Sequence, residues 1–200
     1  MHTYLALGDS YTIGEQVPNN GNFPNQVVEK LRNIGITIAE PVIIAQTGWT
    51  TDELLTSIRE HNLQETFSFV TLLIGVNNQY RNRTIENYRD EFTQLLNIAL
   101  SFAKGIITHV IVVSIPDWGV TPFAEGRNQE QIAKEIDNYN TTCKEIALAA
   151  NCHFVEITES TRKNGISPDY LANDGLHPSA KEYSIWADKI VKIVEEEFRK

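Results

Sequence analysis

Two cysteines in 200 residues, Cys143 and Cys152, cannot supply a disulfide framework of several bridges. With no Cys-x-x-Cys and no Cys/His set at zinc spacing, they read as free buried thiols. His2, His61, His109 and His153 form no i, i+4 pair around a glutamate, and no carboxylates cluster at metal spacing. No metal and no cofactor is expected. Basic charge is also short: 17 Lys and Arg stand against 26 Asp and Glu, a net charge of −9 with a pI near 5.0. That balance excludes a phosphate-neutralising nucleic-acid surface and disfavours anionic membranes. The longest apolar run, residues 67–76, is about half of the ~20 residues a membrane-spanning helix needs. The sequence has no Gly-x-Gly-x-x-Gly fingerprint and no P-loop lysine, which argues against a phosphate-binding domain of flavodoxin-like type. No basic, apolar, small-residue leader precedes Gly8, so a cytoplasmic location is the expectation, although a chain trimmed of a secretory leader would read the same.

What remains is the composition of a globular protein, with 42% hydrophobic and 22% charged residues. No repeat, low-complexity tract or linker divides it, so residues 1–200 are expected to form a single domain. Short apolar runs at 4–7, 38–45, 69–74, 109–115 and 153–157 read as strands. Uninterrupted runs such as Val110-Ile111-Val112-Val113 suit strands buried on both faces, as in a parallel sheet covered by helices. Helical spacing occupies 25–33, 52–60, 85–103, 129–150 and 179–198. Thr50 followed by Glu53 suggests a capping box, and Pro178 suits a first helical turn. Five alternations of strand and helix imply an α/β fold, a three-layer α/β/α sandwich around a parallel sheet of about five strands. Loops following parallel strands converge at the carboxyl edge of such a sheet, where ligands bind.

Two clusters carry chemistry. Gly8-Asp9-Ser10 follows the first strand, and Asp174-Gly175-Leu176-His177-Pro178 lies near the other end. A serine hydroxyl is a weak nucleophile until a base takes its proton, and the base works best when an acid fixes its orientation. Ser10, His177 and Asp174 suit those roles and suggest a serine hydrolase. The order Ser, Asp, His is shared with α/β-hydrolases, but their Gly-x-Ser-x-Gly elbow does not occur here. Asp9 adjoins the serine but reads as structural, because neighbouring side chains diverge and a short carboxylate readily accepts from loop N–H groups.

These motifs, with Gly48 in Gln46-Thr47-Gly48-Trp49-Thr50 and Asn77 in Gly75-Val76-Asn77-Asn78, resemble the SGNH (GDSL-type) hydrolase family over nearly the whole chain. The resemblance implies a flavodoxin-like strand order 2-1-3-4-5, a nucleophile at Ser10, an acid and base at Asp174 and His177, and an oxyanion hole from Ser10, Gly48 and Asn77. It also implies a small-molecule acyl ester as substrate, with short-chain or sugar-acetyl esters favoured. The family usually has Gly-x-Asn-Asp where this chain has Asn78, a change expected to bear on loop support more than on the reaction. A thioester or amide substrate, a lysophospholipase-type lipase, and a non-catalytic carbohydrate- or ligand-binding protein on the same fold stay open. Segments 15–22, 79–83, 116–127 and 158–173 read as irregular and are expected to rim the pocket. Trp49, Tyr80, Trp118 and Phe123 are candidates to line an acyl or sugar subsite, with ordinary packing as the alternative. Arg81 and Arg83 read as solvated loop charges.

Overall fold

Tyr4–Asp9 forms strand β1, buried along its whole length because a strand lies on each side of it and helices cover both faces. In this computed structural model, which describes residues 1–199, the chain continues through α1 (Ser10–Ile13), α2 (Phe23–Asn33), β2 (Val42–Gln46), α3 (Thr51–His61), β3 (Phe69–Leu73) and α4 (Val76–Tyr80). Then follow α5 (Ile85–Phe102), β4 (Val110–Val113), α6 (Gln129–Ala149), β5 (His153–Val155), α7 (Thr158–Asn164) and α8 (Ala180–Phe198). The five strands pair in parallel in the order β2-β1-β3-β4-β5, as the resemblance implies. Helices α2 and α8 pack together, and α5 packs against both α3 and α6, giving the two outer layers of the α/β/α sandwich. Phe23, Tyr183 and Trp186 interlock between α2 and α8, with Tyr183 and Trp186 edge to face at 5.0 Å.

Several element boundaries differ from the sequence reading, each for a local reason. Strand β2 begins at Val42 rather than residue 38, because Pro41 has no N–H to give a ladder; Ile38 makes only an isolated bridge to His2. Residues 158–173 and 79–83 are not wholly irregular, since α7 and α4 occupy parts of them. Pro178 is not in the first turn of α8. That helix starts at Ala180 behind Ser179, and Pro178 instead forms an antiparallel bridge with Leu171. His177 O accepts from Ala172 N–H at 2.8 Å and Tyr170 O accepts from Ser179 N–H at 2.9 Å, so the arm carrying His177 is held extended outside the helix. The capping box at Thr50 and Glu53 is present, with the Glu53 carboxylate accepting from the Thr50 N–H at 2.8 Å. Cys143 and Cys152 are free and buried, and burial pushes the Cys143 thiol up to about 12. No helix among the described residues is long and apolar enough to cross a membrane.

Candidate active site

Gly8 decides how the chain leaves β1. A Cβ there would stand 2.1 Å from Thr12 Oγ1 and 2.4 Å from Leu73 O, so only glycine lets α1 fold back against the neighbouring strand. Asp9 caps the helix, its Oδ1 accepting from the Tyr11 N–H at 3.0 Å, and Ser10 becomes the first helical residue. As first residue of a helix, Ser10 has a backbone N–H with no acceptor inside it.

The extended arm before α8 brings His177 to this point from 167 residues away. His177 Nε2 lies 3.0 Å from Ser10 Oγ, and Nδ1 lies 2.6 Å from Asp174 Oδ2. Asp174 Oδ1 also accepts from the N–H groups of Leu176 and His177, both at 3.0 Å. Burial opposes ionisation of Asp174, but the hydrogen bonds from the His177 side chain and from these two N–H groups outweigh it and hold its carboxyl below the usual carboxylate range. Tyr11 packs its ring against the imidazole at 5.0 Å. Ser10 and His177 are both buried while Asp174 reaches the surface. The arrangement can pass a proton from the serine to a base whose far nitrogen is already engaged.

Gly48 comes from the loop after β2 and Asn77 from α4, which follows β3; the two strands flank β1 on opposite sides. Gly48 takes φ +86°, and among the described residues its N–H has no protein acceptor. Asn77 Nδ2 donates to Trp49 O at 3.0 Å. With Ser10 and His177 these residues line one cleft of about 190 Å³, completed by Tyr11, Thr47, Val76, Tyr80, Trp118, Phe123 and Leu176. Tyr80, Trp118 and Phe123 therefore do reach the cleft. Trp118 is 3% exposed, fixed by its indole N–H to Gln79 Oε1 at 2.7 Å, while Tyr80 and Phe123 are each 42% exposed at the mouth. Arg127 lies over all three rings at 5.2, 5.3 and 5.6 Å and donates to the Tyr80 hydroxyl at 3.1 Å.

A GDSL-like lipase/acylhydrolase family model matches residues 6–185. The chain belongs to that family. An acetylxylan esterase of Geobacillus stearothermophilus is 25% identical over 150 residues, 70% of this chain and 65% of that relative, so the chain spans about two thirds of the relative's length. Esterase EstA from Pseudoalteromonas sp. has the same fold with a TM-score of 0.74 at 15% identity, covering 100% of both chains. The lipase/acylhydrolase from Enterococcus faecalis follows at 0.71 and 20%, covering 98% of this chain and 97% of that one. Axe2, an acetylxylan esterase from Geobacillus stearothermophilus, aligns at 0.70 and 23%, covering 96% and 94%.

The structure revises two readings. Trp49 does not line the cleft: its half-buried ring packs against the core, and it meets the site through its carbonyl. Arg81 is no free loop charge, because its guanidinium donates to Gly48 O at 2.5 Å and pairs with Glu53 at 3.2 Å. Arg83 stays a surface charge, 3.7 Å from Asp52. Asn78, in the position where the family resemblance led to an aspartate, is fully buried and bonds Thr51 twice, accepting from its N–H at 3.1 Å and donating to its hydroxyl at 2.6 Å. The Thr51 hydroxyl donates its hydrogen bond to the Glu91 carboxylate, so its oxygen is free to accept, which the Asn78 amide N–H satisfies and an ionised aspartate could not. Tyr11 adjoins Gly8-Asp9-Ser10 and Arg127 closes segment 116–127, but nothing in the sequence assigns either side chain a role. Among the described residues no three His, Cys, Asp or Glu side chains group as a metal site would require.

Asp9 yields a stability prediction. Burial pushes its carboxyl up from 3.8 to about 7, against the lowering effect of the Tyr11 N–H. The unfolded chain releases this proton near pH 4 and the folded one near pH 7, so the contribution of Asp9 to stability falls as pH rises through that window. The span corresponds to on the order of 4 kcal/mol. Asp9→Asn, which keeps an acceptor for Tyr11, is expected to lose ground to wild type as pH is lowered from 8 to 5 in urea titrations. A difference between the two proteins that stays constant with pH would refute it.

Proposed function

We propose that this protein is a serine ester hydrolase acting on carboxylic esters with short acyl groups, sugar acetates among them. The observation that carries the reading is the unbroken chain from Asp174 Oδ2 through His177 to Ser10 Oγ, with bonds of 2.6 and 3.0 Å, opening into a cleft lined by Gly48 and Asn77. Ser10 Oγ attacks the carbonyl carbon as His177 Nε2 takes its proton, and Asp174 steadies the resulting imidazolium. Negative charge then develops on the carbonyl oxygen. The N–H groups of Ser10 and Gly48 and the Asn77 amide stabilise it, each worth about 3 kcal/mol in the transition state. His177 returns the proton to the leaving alcohol, and water repeats the sequence on the acyl-enzyme.

Short acyl groups suit the volume. At about 190 Å³ the cleft is smaller than the roughly 300–1,000 Å³ of pockets that take drug-sized ligands. The buried Trp118 stands in its wall and cannot be displaced without breaking its bond to Gln79. The aromatic rings at the mouth suit a sugar face, in keeping with the relative named as an acetylxylan esterase. Esters of one alcohol with acetyl, butyryl and dodecanoyl groups should show kcat/KM highest for acetyl or butyryl and at least ~10-fold lower for dodecanoyl. A rise through dodecanoyl would point to a lipase-like role instead. The reaction class is tested separately with a serine-reactive organophosphate: labelling confined to Ser10, with parallel loss of esterase activity, is expected, and full activity after stoichiometric labelling elsewhere would exclude it.

A further inference from the structure

The two outer loops of the site have no ladder between them. β2 and β3 lie on opposite sides of β1, which fixes their ends at Gln46 and Leu73, but no ladder reaches Gly48 beyond the one or Asn77 in α4 beyond the other. Gly48, at positive φ, is also the most deformable kind of residue. An oxyanion site nevertheless tolerates errors of only about 0.5 Å, and a misplacement of about 1 Å can cost a hundredfold.

Side chains from α4 and the residue that ends it span the gap. Arg81 donates to Gly48 O at 2.5 Å, Asn77 to Trp49 O at 3.0 Å, and Asn78 accepts from Thr51 N–H at 3.1 Å. Positions 77, 78 and 81 share one face of a helical turn, so a single element grips three points along the four residues 48–51. Arg81 is itself anchored: both Glu53 oxygens lie 3.2 Å from its Nη1, and the same carboxylate caps α3 at the end of the gripped loop. From this geometry we infer that Arg81 is a positioning residue of the oxyanion site, the outer member of a clamp by which α4 fixes the Gly48 loop relative to Asn77. It touches no reacting atom. Its effect is to keep the Gly48 N–H where the oxyanion forms, so the inference rests on the acyl-transfer reading above.

Arg81 is the member to test, because its side chain is 41% exposed and its removal opens no core cavity. Arg81→Met is expected to lower kcat about 10-fold on a short-chain ester while KM moves less than about threefold, with the thermal midpoint close to wild type. Arg81→Lys, which can reach Gly48 O but cannot also bridge Glu53 through a planar fork, should recover part of the loss. In an Asn77→Ala background the same Arg81→Met change should cost at most about threefold, because one of the two donors being aligned is gone. A kcat within twofold of wild type in Arg81→Met and Arg81→Lys, a change confined to KM, or fully additive losses would each overturn the clamp. Ser10→Ala run alongside separates the two ideas: if it is inactive while Arg81→Met is not impaired, only the clamp fails, and if it stays active the acyl-enzyme reading itself fails.

Discussion

Ser10→Ala and His177→Ala are each expected to lower ester turnover by on the order of 10⁴-fold, and the double substitution to lower it little further. The reason is that the two side chains share one proton across a 3.0 Å contact, so either loss leaves the other without a partner in the reaction. Alanine at position 10 keeps the first turn of α1 intact, because the helix is capped by Asp9 and not by the serine. Ser10→Ala is therefore the cleaner variant, and its circular dichroism and urea midpoint should match wild type. Steady-state kinetics on an acetyl ester decide the matter. More than a tenth of wild-type turnover in folded Ser10→Ala would remove the covalent mechanism.

The second large effect belongs to Asn77. Asn77→Ala should reduce kcat by roughly 10² to 10³-fold with a much smaller change in KM, since the charge it meets exists only after attack. The same substitution breaks the bond to Trp49 O, so part of the loss reflects a looser Gly48 loop. Asn77→Asp loses the same bond to Trp49 O and in addition sets a carboxylate beside the developing oxyanion, and should be at least as damaging as alanine. A variant that keeps its turnover and loses affinity would make Asn77 a substrate-recognition residue.

Much of this molecule is written in short stretches of chain. The buried strands announce themselves as branched apolar runs, and α5, α6 and α8 as periodic segments long enough to be recognised. α1, α4 and α7, with 4, 5 and 7 residues, are too short to display a period and pass for loop. Asp174 and His177 sit three residues apart, so their hydrogen bond is nearly implied by the spacing, and Gly8-Asp9-Ser10 carries its own turn chemistry.

Sequence by itself determined the fold class, the local motifs and the residue types able to perform acyl transfer, because propensity, periodicity and capping act between neighbours within a turn or two. Tertiary structure alone decided that the imidazole meets a serine 167 positions away, that Arg81 serves Gly48 across 33 positions, and that Trp49 offers a carbonyl while its ring packs elsewhere. Those distances follow from strand order, from a proline-stiffened arm outside α8 and from the packing of helices on both faces of the sheet. Each sums many weak long-range contacts that no local stretch of sequence encodes.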